Sequence, residues 1–181
     1  MPNQNRMGTV FVPSGSPDTV NYSPEYAPGE RGLAYDYNDK AYQIVQLDSG
    51  ATAATPTGIP AVNQLAYWRD KDRYVVTNDR RFAMNLGIGT AAYQNFVAGV
   101  IRNAATPGNI IHILQRGDNI PMLDGGNTFA AGESIIAEAD AVGAVDRIAL
   151  GTAVTFRPLG IARGAAANGV VNVDIDIPNI P

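Results

Sequence analysis

The sequence predicts a mainly β chain: a small antiparallel β domain of barrel or sandwich type, with minor helix, preceded by a long extended N-terminal arm. Three observations carry this. From about residue 73 onward, short apolar runs recur at intervals of roughly 8–20 residues with Gly, Pro and Asn between them, the spacing of strands and turns. Val171, Val173, Ile175 and Ile177 alternate with Asn172, Asp174 and Asp176, as in a strand with one face in water. Residues 1–60 hold seven of the twelve prolines (Pro2, Pro13, Pro17, Pro24, Pro28, Pro56, Pro60), and proline at that density forbids a long helix and interrupts sheet ladders.

The same 60 residues carry five of the eight tyrosines. With Phe11, the side chains of Tyr22, Tyr26, Tyr35, Tyr37 and Tyr42 are amphipathic anchors suited to a surface that a partner covers. Short β-like pieces, Thr9–Val12 and Ala41–Val45, recur within the arm, and residues 48–58 are rich in small residues and read as a loop. These features divide the chain into an arm and linker over 1–60 and a β domain over 61–181.

In that domain, helix is allowed at Pro60–Arg69 and Ser134–Ala141. Strands are expected at Tyr74–Thr77, Phe96–Ile101, Ile110–Leu114, Ser134–Ile136, Ala153–Phe156, Leu159–Ala162 and Val170–Ile177. One unit occurs three times: small residues, a glycine turn, then a β-branched pair, at 105–111, 130–136 and 166–171. The glycines give the freedom a tight turn needs, and Asn168-Gly169 is the strongest hairpin signal. Gly99, Gly108, Gly132, Pro158, Gly160 and Gly169 are the expected structural turn positions.

Composition narrows the function. A chain of 181 residues suits one domain, or one domain with an extension. The absence of cysteine excludes disulfides, zinc ribbons, iron–sulfur ligation and thiol catalysis, and the single His112 excludes a polyhistidine metal centre. Thirteen basic against seventeen acidic residues, a net charge of −4, argue against a nucleic-acid partner. The mixed-sign run Arg69–Arg73 with Arg80-Arg81 reads as a solvated surface. No apolar run reaches the roughly 18–20 residues that span a bilayer. The N-terminus shows no continuous apolar stretch of a secretory signal, which fits synthesis in a reducing cytoplasm.

Candidate chemistry is sparse. His112 lies between isoleucines in an apolar strand, the setting of a structural histidine, and no triad spacing accompanies it. Asp118, Asp124, Asp140 and Asp146 sit beside turn residues, where aspartate caps backbone groups. Asp174 and Asp176 share a strand face and read as charges that keep an edge from aggregating. Residues 118–127 are rich in oxygen ligands without the spacing of an EF-hand. Gly87-Ile88-Gly89-Thr90-Ala91-Ala92 fits G-x-G-x-x-A, but the acid expected about 20 residues on is missing. Asn21-Tyr22-Ser23 is a glycosylation sequon without a secretory context. The expectation is a chain with no catalytic residues, no metal and no cofactor.

Taken together, Phe96–Ile101, Pro107–Ile111, Ala131–Ile135, Arg157–Ala162 and Gly169–Val173 resemble the head decoration (cement) proteins of tailed bacteriophages, including the lambda-type capsid-stabilising proteins. Those have a small β domain with a paired G-V…G-x-x-V pattern and a closing P-L-G-x-A…G-x-V-x-V segment. The resemblance covers residues 82–178, and the long Pro/Tyr-rich N-terminal region departs from the compact members. It implies a non-enzymatic structural protein on the capsid exterior of a virion. Its partners would be the major capsid protein, whose neighbouring subunits it clamps, and itself in a homotrimer, with neither nucleic acid nor membrane. The alternative is a tail, spike or baseplate β module, or a host-binding adhesin, of a virion.

Overall fold

The computed structural model describes residues 17–19, 21–22, 31–49, 62–78, 97–138, 143–152 and 157–177. The strands are β1 (Asn21–Tyr22), β2 (Ala34–Tyr37), β3 (Lys40–Leu47), β4 (Gln64–Asp70), β5 (Val75–Thr77) and β6 (Val97–Ile101). After them come β7 (Ile110–Leu123), β8 (Ser134–Ala137), β9 (Val145–Ile148), β10 (Gly160–Ala162) and β11 (Val170–Asp176). The mainly β expectation holds. Among the described residues the helical element is a single 3-10 turn, Pro17–Thr19.

Five strands close on themselves. β3 pairs β5, β5 pairs β4, β4 pairs β6, β6 pairs β7, and β7 returns to β3. The β3–β5 pairing is parallel; the other four are antiparallel. Closure removes the edges that an open five-stranded sheet would leave. Alternation along each strand then sends one set of side chains inward. Val45, Leu47, Ala66, Trp68, Val76, Ala98, Ile101, Ile111 and Ile113 form the interior core, joined by Ala105.

The other faces of the same strands, with Tyr42, Leu65, Tyr67, Val100 and Leu114, pack under a second layer. That layer continues from β7 through β11, β10, β8 and β9. Its inward residues Ile135, Ala137, Val145, Ala162, Val171, Val173 and Ile175 complete a second core against the barrel wall. β7 serves both layers. Its first half pairs β3 at 110–116, and its second half pairs β11 at 116–123. It bulges between Gly117 and Ile120, where Asn119 adopts a φ of 56° and its N–H donates to Asp174 Oδ1 at 2.9 Å. The extra residue re-aims the strand from the barrel into the second sheet.

The three turn-then-strand units form as expected. Gly108, Gly132 and Gly169 have φ of 89°, 87° and 79° and lead into β7, β8 and β11. Asn168 and Gly169 both have positive φ, and Ala167 and Val170 exchange hydrogen bonds across them, the two-residue hairpin turn.

Three expectations need correction. The stretch Pro60–Arg69 supplies strand β4, and Ser134–Ala137 is strand β8, so neither begins a helix. β4 is buried at Gln64, Leu65, Ala66, Tyr67 and Trp68 in succession because one face fills the barrel and the other lies under the second sheet. That removes the alternation by which a strand is recognised. The boundary at residue 60 also shifts, since β3, inside the expected arm, is a barrel wall and β2 is hydrogen-bonded to it. Gly99 and Gly160 are strand residues rather than turns. A Cβ on Gly99 would stand 2.9 Å from Leu114 O, and one on Gly160 would stand 2.2 Å from Asp174 O. Pro158, expected at a turn, lies two residues before β10. The strand expected at Ala153–Phe156 lies outside the described residues.

Candidate functional site

Of the six aromatic residues proposed as anchors, Phe11 and Tyr26 lie outside the described residues, as does the side chain of Tyr22. The backbone of Tyr22 pairs with Ile110. The other three separate by environment. Tyr37 is 37% exposed, Tyr35 is half-buried, and Tyr42 is 1% exposed within the second core. Tyr42 is therefore an internal residue and not a surface anchor.

Tyr35 and Tyr42 belong to a polar cluster on the outer wall of the barrel. Their rings stack at 5.8 Å, and Tyr35 meets the His112 ring edge-on at 5.5 Å. The Tyr35 hydroxyl and His112 Nδ1 share a short hydrogen bond. The Tyr42 hydroxyl donates to Asp18 Oδ1 at 3.1 Å, and Arg102 Nε lies 3.7 Å from the same oxygen. Arg102 also donates to Asn63 Oδ1, and to Pro121 O at 3.4 Å. Burial raises both phenols above their usual range, with the Asp18 charge adding to it. Burial alone lowers His112 to about 4, so near neutral pH the imidazole is uncharged. The cluster joins the Asp18 turn, β2, β3 and β7. Within it His112, expected in an apolar strand, is buried on β7 and has the Tyr35 hydroxyl as its partner. The Asp18–Arg102 pairing was not foreseen; no local spacing links residues 84 positions apart.

In the turn at 118–127, Asp118 is exposed and lies 3.7 Å from Arg163, while Asp124 is bonded within the turn. Asp124 Oδ1 accepts from Gly126 N at 2.8 Å, and Asn127 Nδ2 donates to Glu138 Oε2. No group of three or more His, Cys, Asp or Glu among the described residues is placed to hold a metal. Asp146 caps the N–H of Arg147 at 2.7 Å. Glu133 accepts from Ala130 N–H and from Arg147; these bonds hold its carboxyl below the usual range. Asp140, the 87–92 glycine motif and Arg80-Arg81 lie outside the described residues.

The outward face of the second sheet has a different character. Register places Ile161 beside Ser134 and Ser134 beside Ile148, a stripe across β10, β8 and β9. Ile161 is 52% exposed and Leu150, just past β9, 68%. On the β11 flank the acids are paired: Asp174 with Arg163, and Asp176 with Arg157 at 2.5 Å. The Arg163 bond and the Asn119 N–H hold the Asp174 carboxyl below the usual range. An apolar stripe beside locally neutralised charge matches the core-and-rim pattern of a protein interface. The Leu159–Ala162 run announces a strand, but the outward direction of Ile161 follows only from the register of β10 between β11 and β8.

No protein-family model matches the sequence, and no curated protein does. Among solved structures, the chain is similar to the N base of head fiber gp8.5 of bacteriophage phi29. The TM-score is 0.40 at 14% identity, covering 78% of this chain and 98% of that one.

Proposed function

We infer that the protein is a structural component of a virion that binds the outer surface of a phage head and cements neighbouring capsid subunits. One observation carries this reading. The five segments that resemble decoration proteins lie far apart in sequence, yet they contribute β6, β7, β11, β10 and β8, consecutive neighbours in the sheet. Strand β10, from the Arg157–Ala162 segment, lies between the strands that carry Gly169–Val173 and Ala131–Ile135, with Ala162 opposite Val173 on one side and Gly160 opposite Ile135 on the other. The resembling segments thus fall on neighbouring strands of one hydrogen-bonded path, β6 and the start of β7 in the barrel and β11, β10 and β8 in the layer over it, and that second layer presents the Ile161–Leu150 stripe. The role is one of binding rather than catalysis. The partner is the major capsid protein, and the chain associates with further copies of itself on the shell.

The test is to mix the purified protein with cognate empty expanded heads and image them. Density on the outer surface at regular lattice positions is expected, with occupancy falling at least tenfold for the paired change Leu150→Lys and Ile161→Lys. Bare heads at saturating protein, or density confined to a tail or vertex appendage, would overturn the reading.

A further inference from the structure

The hydrogen-bonded path of strands has two ends, β2 and β9, and they are finished differently. At β9 side chains cover the backbone: Asn127 Nδ2 reaches Val145 O at 3.4 Å, and Asp146 Oδ1 takes the Arg147 N–H at 2.7 Å. Two of its outward backbone groups are occupied in this way, which blunts the edge. At β2 no such cover exists among the described residues, and the strand pairs with β3 alone. Leu33 O accepts from Ile44 N, and antiparallel alternation then turns the backbones of residues 33, 35 and 37 toward β3. The N–H and C=O groups of Ala34 and Asp36, both exposed residues, face outward.

We propose that this edge pairs with the same edge of a second copy of the chain, antiparallel, about a two-fold axis at Tyr35. Two outward residues separated by one form a self-complementary set: Ala34 exchanges hydrogen bonds with Asp36 of the second copy, and Asp36 with its Ala34. The side chains fit the same axis. Tyr35 faces Tyr35, Leu33 faces Tyr37, and Tyr37 faces Leu33. Leu33 and Tyr37 are 43% and 37% exposed, so two of the exposed large apolar residues of the described chain stand where the axis joins them. The charge also fits. Asp36 is ion-paired to Arg116 at 3.3 Å and lies opposite an alanine, so no like charges meet directly. Such a contact is isologous and closes at two copies.

Sedimentation of the full chain over a range of concentrations tests this. The intact protein should form dimers, and Leu33→Lys or Tyr37→Glu alone should weaken self-association at least tenfold. The double variant L33K/Y37E sets an ammonium opposite a carboxylate across the axis and should restore it. Ala34→Pro gives a second route, since proline is tolerated where an edge N–H faces solvent: dimers should vanish while the unfolding midpoint stays put. Because the chain has no cysteine, Tyr35→Cys places a single thiol on the axis, with circular dichroism to confirm that the fold survives loss of the Tyr42 stack and the His112 bond. Directly opposed residues of a non-hydrogen-bonded pair lie about 4.5 Å apart at Cα, within disulfide reach. A disulfide-linked dimer should form on mild oxidation. A chain monomeric at every concentration, as when the edge takes a segment of its own chain or of another protein, would overturn the proposal. So would a trimer or dimer indifferent to L33K and Y37E, or a double variant no tighter than either single one.

Discussion

The barrel and the sheet laid over it both consist mostly of antiparallel strands, but their strands are buried differently. β3, β4 and β6 are covered on both faces, by the barrel interior and by the second layer. β11 is covered on one face and alternates from buried Val171 to exposed Asn172 onward. Polar groups follow the same division. Inside the barrel, Gln115 Nε2 donates to Gln43 Oε1 at 2.8 Å and to Ala98 O at 3.2 Å, and both glutamines are buried. On the second sheet Asp174 and Asp176 meet arginines in the open. A polar side chain is therefore a structural commitment in the barrel and an adjustable surface feature in the sheet.

The largest effect that separates the two regions is acid sensitivity, placed on the barrel wall by His112. Its pKa is lowered from 6.5 to about 4 in the folded chain by burial. The unfolded state thus binds the proton more tightly, and protonation favours unfolding. Stability should be full above pH 6.5, decline as the pH falls toward 4, and level off below it. The loss from this group amounts to about 3 kcal/mol. Urea unfolding at several pH values checks it. His112→Gln should flatten the profile between pH 6.5 and 4, and an unchanged slope in that variant would show that carboxylates govern it instead.

The same contrast explains what could be read from the sequence. Part of the second sheet was legible because one face meets water: alternation at 171–177 and the turn at Gly169 announce β11, while β9 was missed and Ser134–Ala141 also admitted a helix. In the barrel, Ala41–Val45, Tyr74–Thr77 and Phe96–Ile101 mark β3, β5 and β6, and β4 is the strand that escapes. Ile110–Leu114 declares an apolar strand, but continuous burial over Leu65–Trp68 erases the period of two, and Pro60 upstream invites a helical reading. Tyr42 looked like a surface anchor because proline-rich neighbours suggested a chain without a core. Its burial depends on strands β6, β7 and β11, all distant in sequence. The Ile161–Leu150 stripe depends on register between strands that no local pattern fixes.

A middle-sized effect probes the barrel interior. Gln115→Leu removes the donor that satisfies Gln43 Oε1, leaving a buried acceptor unpaired. The expected loss is about 2 kcal/mol in thermal or urea unfolding. Adding Gln43→Leu removes that side-chain acceptor and leaves Ala98 O as the remaining one without its donor, so the double variant should recover about half of the loss, roughly 1 kcal/mol. If the double variant is as unstable as the single, the two glutamines contribute through shape rather than through their bond, and the distinction between barrel and sheet weakens.

The smallest effect belongs to the sheet. Arg157 and Asp176 make a 2.5 Å contact, yet their side chains are 57% and 64% exposed. Water screens such a pair and competes for both partners, and holding two mobile side chains together costs entropy, so Arg157→Ala should change stability by less than about 0.5 kcal/mol. The pair differs from Gln43–Gln115 in solvent rather than in closeness. A loss comparable to that of Gln115→Leu would mean that the outer face is drier than a free surface, as it would be if a second protein covered it under the conditions of measurement. Repeating the unfolding experiment at several protein concentrations separates these causes: a concentration-dependent loss marks a covered face, and a constant one marks an ion pair that stabilises the sheet by itself.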